Sequence, residues 1–302
     1  MCIRDRGCRE ITLIGQTVNS YRWSDGGKTS RLSDLLLKLN AIDGLDRIKF
    51  VTNYPRDMTT DLIHAVRDLS KVSHYIHVPA QHGSDDVLRR MKRGYTIGQY
   101  MEMLDRLREA IPHAAVSSDF IVGFCGETDK EFELSLELVK TVKFKNSFIF
   151  KYSPRPGTKA FDKQADDVPE SVKKERNRLL LEAQAVASLE GNERFIGSRQ
   201  QVLVEGLSTR DERQAVDPGP DGLAQLTGRT MCDRIVVFNA PLRLIGRLVD
   251  VDIISAGAWS LAGEVADDLA NAIPLDHLEQ SGPTVHQIQV SGQASPQGTQ
   301  RA

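Results

Sequence analysis

Five short runs rich in β-branched and aromatic residues recur along the first half of the chain. They are EITLIG (10–15), RIKFVT (47–52), SHYIHV (73–78), VSSDFIVG (116–123) and SFIFKY (147–152). Between them the apolar positions fall at helical spacing. Leu32, Leu35, Leu36 and Leu39 share one face, as do Leu62, Val66 and Leu69, and then Tyr100, Leu104, Leu107 and Ile111. Thr96 with Gln99, and Thr128 with Glu131, have the spacing of capping boxes at helix starts. Strands alternating with helices predict βαβ units, a parallel sheet and an α/β fold. Five units predict an open or incomplete (β/α) barrel with its site at the C-terminal strand ends. GQTVNS (15–20), PAQHGS (79–84) and GFCGET (123–128) all fall at those ends, which argues for one site.

The pattern changes after Pro169, a good helix start. A long helix is predicted over 170–191, with Lys173, Lys174, Arg176 and Arg178 near its beginning and Gly191 at its end. Short strands with turns follow: 199–206, 223–230, 234–238, 244–254 and 259–265. They predict a small all-β barrel interrupted by a polar loop at 207–222. The predicted organisation is therefore residues 1–194 for the partial barrel and linker helix, 195–265 for the small barrel, and 266–302 for a polar tail. Residues 280–302 read as disordered.

The 302 residues carry a net charge of −2 and are 40% hydrophobic, enough for one large core and a smaller one. No global basic field is available, so any RNA contact must be local. There is no signal-peptide core and no apolar run of membrane-spanning length, which reads as a cytoplasmic protein without membrane contact. Cys2, Cys8, Cys125 and Cys232 have neither zinc nor iron–sulfur spacing and read as ordinary thiols, with no metal site.

Each motif admits chemistry and a plainer role. In GQTVNS and GFCGET, glycines at strand ends let backbone approach a ligand closely, as they would in an ordinary turn. Strand 73–78 aims His77 or Gln81 at the barrel mouth, and Ser84 caps the next helix. His82 is a candidate acid–base group or a solvent-facing loop histidine. YSPRPGT (152–158) presents Arg155 from a stiff, proline-flanked turn, suited to a phosphate or carboxylate. GRTMCDR (228–234) puts Arg229 and Arg234 at a strand connection, with Arg199, Arg243 and Arg247 on the same small barrel. Such arginines hold RNA phosphates or form a solvated surface.

Taken in order, GQTVNSY, HVPAQHGSD, MKRGYT, DFIVGFCGET and YSPRPGT resemble the tRNA-2-methylthio-N(6)-dimethylallyladenosine synthase family over about residues 8–265. The resemblance implies an incomplete radical S-adenosylmethionine (SAM) barrel missing its first strand, followed by a small RNA-binding TRAM barrel. It implies methylthio transfer to carbon 2 of an N(6)-prenylated adenosine at position 37 of tRNA. Its cofactors are SAM and two 4Fe–4S clusters, none of them ligated by this chain, and an electron donor reduces them. By motif, Gly15, Gln16, Asn19, Gln81, Gly83, Ser84, Ile121, Gly123 and Glu127 resemble SAM-facing positions. Arg155, Arg229, Thr230 and Arg234 resemble tRNA-facing ones; no catalytic side chain is assigned. Cys125 stands where proline is usual and His82 where serine is. Met231 and Asp233 replace a basic residue and an asparagine, which weakens the expected RNA contact. The family's CxxxCxxC is absent, so the chain reads as an N-terminally truncated, monomeric piece, inactive alone, with an unpaired edge along 10–15. Two other readings stay open: a non-catalytic RNA-binding module, and a methylthiotransferase acting on a ribosomal protein.

Overall fold

The computed structural model describes residues 7–209 and 222–266 in full, and the backbone of 285–289. The first strand, β1 (Glu10–Ile14), leads into a hairpin of β2 (Arg22–Asp25) and β3 (Lys28–Arg31) and then helix α1 (Leu32–Asn40). Strand β4 (Arg47–Phe50) and α2 (Thr60–Asp68) follow, then β5 (Tyr75–His77), short α3 (Asp85–Arg90) and α4 (Ile97–Ala110). Next come β6 (Ala115–Val122), α5 (Asp129–Val142), β7 (Asn146–Lys151), α6 (Lys159–Lys163) and the long α7 (Glu170–Glu193). Both expected capping boxes form: Thr96 accepts from Gln99 N, and Thr128 from Glu131 N. Ser84 caps α3 as expected.

All pairings in the main sheet are parallel. β1 pairs with β4, β6 with β5 and β7, and an Ile48–Val72 bridge joins the two halves. One face carries Ile11, Leu13, Ile48, Phe50, Ile76, Val116, Phe120 and Val122. These pack in one core with Leu36, Val66, Tyr100, Leu104, Leu107 and Val139 of the helices. The other face is polar and aromatic. A parallel sheet covered on both sides by apolar layers reads as continuous apolar strands. Here EITLI, RIKF and SSDFIV alternate instead, so only one face is given to the core.

Two expectations are corrected. The outer edge of β1 is not unpaired: β13 (Val285–Gln289) lies parallel to it, with Glu10 opposite Val285 and Ile14 opposite Gln289. Residues 285–289 are therefore strand rather than disordered tail, and the strand-edge groups of β1 find backbone partners. The rest of the expected tail, most of the expected loop 207–222 and the opening MCIRDR lie outside the described residues. Second, α7 does not stop at Gly191 but runs to Glu193. Its last turn is held by Asn192, whose Nδ2 donates to Gly257 O at 2.7 Å and whose Oδ1 accepts from Arg234 at 2.8 Å.

Strands β8 (Arg199–Leu207), β9 (Leu223–Thr230), β10 (Ile235–Pro241), β11 (Leu248–Ala256) and β12 (Leu261–Val265) close a small barrel in the order β10-β12-β11-β8-β9. Val202, Val204, Leu226, Val236, Phe238, Val249, Val251 and Leu261 fill it. Closure removes the exposed strand edges that an open five-stranded sheet would carry.

Buried charge joins this barrel to the N-terminal ends of the main sheet. Asp233, at the β9–β10 turn, accepts from Lys49 at 2.8 Å, Lys145 at 2.9 Å and Arg229 at 3.2 Å. Glu10 pairs with Lys49 at 2.8 Å and Arg47 at 3.4 Å, and Arg47 donates to Arg229 O at 2.9 Å. Ser73 Oγ donates to Met231 O at 2.6 Å. Asp233 has φ 62°, a left-handed conformation that Asp and Asn tolerate better than most residues. Burial alone pushes its carboxyl pKa up, but Lys145, Lys49 and Arg229 outweigh it and hold it well below the usual carboxylate range.

Removing one partner of a buried ion cluster strands the others. Asp233→Asn is expected to cost about 3–5 kcal/mol in urea unfolding. The sign of the pH dependence follows from the depressed pKa. The Asp233 contribution is complete above the unfolded carboxyl's ordinary value and is lost as pH falls below about 4. Stability of the wild type should therefore drop more steeply than that of Asp233→Asn between about pH 5 and 3; parallel curves would refute the assignment.

Candidate active site

The opposite, C-terminal ends of the strands are laced together loop by loop. Val18 N donates to Thr52 O, joining the loops after β1 and β4. Asn19 clamps the same two loops, donating to Tyr54 O and accepting from Tyr54 N, each at 2.8 Å. Asn53 N donates to His77 O, Gln81 N to Asp119 O, Ile121 N to Gln81 O, and Tyr152 N to Val122 O. These bonds bring the three loops singled out from sequence to one end of the sheet, as expected.

The expected site residues divide into two groups. Asn19, Gly83, Ser84, Gly123 and Glu127 are committed to internal contacts. Gly83 N donates to Ser135 Oγ at 2.9 Å, and a Cβ there would overlap the Leu134 carbonyl, so only glycine lets the loop meet α5. Ser84 Oγ caps α3. Gly123 has φ 71°, and a Cβ there would strike Lys173. Glu127 is fully buried: its carboxylate accepts from Gly123 N at 2.6 Å, Phe124 N at 3.1 Å and Arg176 at 3.0 Å. His82, whose plainer reading is a solvent-facing loop histidine, is instead completely buried, 3.4 Å from Glu127. The second group lies at the same strand ends. Gln16 is exposed, Gly15 and Ile121 are half-buried, and Gln81, which turns the chain with φ 68°, is buried.

The polar face of the sheet leads into this open end. His77 Nδ1 lies 2.9 Å from Ser117 Oγ, which donates to Tyr75 Oη at 2.7 Å. Burial pushes the Tyr75 phenol up to about 12, so it stays a neutral hydroxyl. His77 Nε2 is 3.5 Å from Asp119, and the Phe148 ring meets the imidazole edge-on at 6.1 Å. Phe148 and Phe150 are 52% and 55% exposed on this face, while Ile149 between them packs on the core. Asp119, Phe148 and Phe150 were not singled out from sequence. The signal was present in SSDFIV and NSFIFK, where polar or aromatic residues alternate with core residues inside a parallel sheet.

Of the expected RNA contacts, Arg155 is exposed in its loop after β7. Thr230 is fully buried, Arg229 is engaged by Asp233 and Glu205, and Arg234 stacks over Phe195 at 4.6 Å. All three belong to the junction between the barrel and the rest of the chain. Cys8, Cys125 and Cys232 lie in three separate apolar clusters. Among the described residues no three His, Cys, Asp or Glu side chains group as a metal site.

Residues 2–139 match the Radical SAM superfamily. An open parallel sheet with its loops gathered at the C-terminal strand ends is thus that of a radical SAM protein. Three relatives carry the name tRNA-2-methylthio-N(6)-dimethylallyladenosine synthase. The one from Rhodopirellula baltica is 53% identical over 263 residues, 87% of this chain and 54% of that protein. The one from Acetivibrio thermocellus is 42% identical over 260 residues, 86% and 52% of the respective chains. That from Bordetella petrii is 43% identical over 270 residues, 88% and 53%. Over most of its length the chain is similar to this family, and it spans about half the length of the relatives it matches. Among solved structures, coproporphyrinogen III oxidase (HemN) from Escherichia coli is 20% identical, with a TM-score of 0.41 over 55% of this chain and 38% of that one. That similarity is too distant to carry any residue across.

The two groups of site residues predict opposite mutational behaviour. Glu127→Gln leaves Arg176 without its buried counter-charge and should cost about 3 kcal/mol. Gln16→Ala, at an exposed position, should stay within about 0.5 kcal/mol. Chemical denaturation of the two variants checks this; equal midpoints would show that Glu127 does not hold the loop.

Proposed function

We propose that the chain carries the substrate-facing sheet and the β-barrel of a tRNA methylthiotransferase. The reaction adds a methylthio group to carbon 2 of an N(6)-prenylated adenosine at position 37 of tRNA by radical SAM chemistry. The observation that carries this reading is the 53% identity to the Rhodopirellula baltica relative across 87% of the chain. The open, polar end of the sheet supports it. In this reading the small barrel is a TRAM domain. The protein works in the cytoplasm as a monomer, with tRNA and an electron donor as partners. No helix among the described residues is long and apolar enough to cross a membrane.

The family implies SAM and 4Fe–4S clusters. The described cysteines do not fit a cluster, because each is buried in a different apolar cluster. SAM fits the open end. Gly15 adds no side chain at the end of β1, Gln16 beside it is exposed, and Ile121 is half-buried near the end of β6. Bound there, SAM supplies the methyl group and the source of the radical. The chain's own part is positioning. Asp119 presents an acceptor to the substrate, Ser117 fixes the His77 imidazole beside it, and Arg155 meets phosphate from its stiff turn.

The test is methylthiolation of tRNA in cells that lack the activity. The chain alone should give none. A chimera carrying the part of the Rhodopirellula baltica protein outside the match should restore it, as read by mass spectrometry of tRNA nucleosides. An expressed, folded chimera that leaves the adenosine unthiolated contradicts the proposal.

A further inference from the structure

On the open face of β7, the edge strand in the order β5-β6-β7, two phenylalanines are more than half exposed. Large aromatics left bare beside Asp119 and His77 mark a ligand surface better than a core. Their surroundings differ. Phe148 is opposite Asp119 in register and 6.1 Å from His77. Phe150 is opposite Ile121, one step nearer the strand end, where no polar side chain shares the register. Residues two apart on a strand are separated by about 7 Å along it. That is the distance from a purine ring to a short apolar chain on its exocyclic nitrogen.

We infer that this strand reads the modified base in two places: Phe148 stacks on the purine while Phe150 and Ile121 enclose the N(6) apolar substituent. Asp119 accepts the hydrogen that the substituted exocyclic nitrogen retains. His77, steadied by Ser117, faces the same base edge. Stacking is sequence-tolerant, because every base has a π-face. Apolar enclosure is selective, because an adenosine without the substituent leaves it empty. The inference rests on the proposed tRNA reading for its choice of base. It goes beyond that reading in assigning discrimination between prenylated and unmodified adenosine to one strand of this chain.

The experiment measures binding of two nucleosides, N(6)-dimethylallyladenosine and adenosine, to the chain itself by saturation-transfer NMR. Wild type should prefer the prenylated nucleoside by about tenfold. Phe150→Ala should erase most of that preference while leaving adenosine affinity within about twofold. Phe148→Ala should weaken both nucleosides by about tenfold and keep the preference. Both side chains are largely exposed, so unchanged thermal midpoints will confirm that the variants fold. A wild type without preference, a preference that survives Phe150→Ala, or failure of either nucleoside to bind at millimolar concentration overturns the inference. These outcomes separate from the chimera assay. Restored methylthiolation with an unaltered preference in Phe150→Ala removes the strand assignment and leaves the function. A dead chimera with the expected nucleoside pattern does the reverse.

Discussion

The charge cluster around Asp233 is the constraint on which the rest depends. Three cations converge on one buried carboxylate, and Glu10 and Arg47 extend the network into the sheet. Taking such groups out of water costs several kcal/mol per ion, so the arrangement holds only while every partner is present. Its contribution lies in geometry more than net stability. It pins the β9–β10 turn of the barrel to the N-terminal ends of β1, β4, β5 and β7. The barrel then cannot cover the other end, where the loops after each strand gather.

A second consequence runs through the sheet. The helices bury only one face, so alternation gives the other face to function. Glu10, Arg47 and Lys49 occupy its lower part and bind the barrel. Tyr75, Ser117 and His77 occupy the middle as a hydrogen-bonded line, with Asp119 3.5 Å beyond the imidazole. Phe148, Phe150 and Ile121 lie toward the open end. This face thus grades from structural charge to exposed aromatic groups along a single strand direction, and Asn19, Glu127 and Arg176 fasten the loops that frame it.

Much of this was legible in the sequence, for identifiable reasons. The five strand runs, the leucine stripes of α1 and α2 and the Thr96 and Thr128 caps rest on local periodicity and capping chemistry, which act within a few residues. The five barrel strands carried the same kind of signal. Long-range pairing did not. Nothing in residues 285–289 marked them as the partner of β1, and the β2–β3 hairpin follows β1 without a strong apolar pattern because its side chains are mostly exposed. Motif reasoning picked out loops that fold to one end of the sheet but could not tell a glycine needed for ligand approach from one needed for packing. Gly83 and Gly123 belong to the second kind. Arg229 and Arg234 looked like an RNA surface because charge is visible in sequence, whereas the carboxylates of Asp233 and Glu205 on Arg229, and the Asn192 and Phe195 contacts of Arg234, are assembled only by folding.

The division of the sheet into a sealed end and an open end is tested most directly by hydrogen–deuterium exchange of the chain with and without a prenylated tRNA anticodon stem-loop. The account predicts slow exchange at 229–234 in both states, and new protection on RNA addition at 119–123 and 146–152. Fast exchange at 229–234 in the free chain, with protection appearing there when RNA binds, would contradict it and move the RNA face to the barrel.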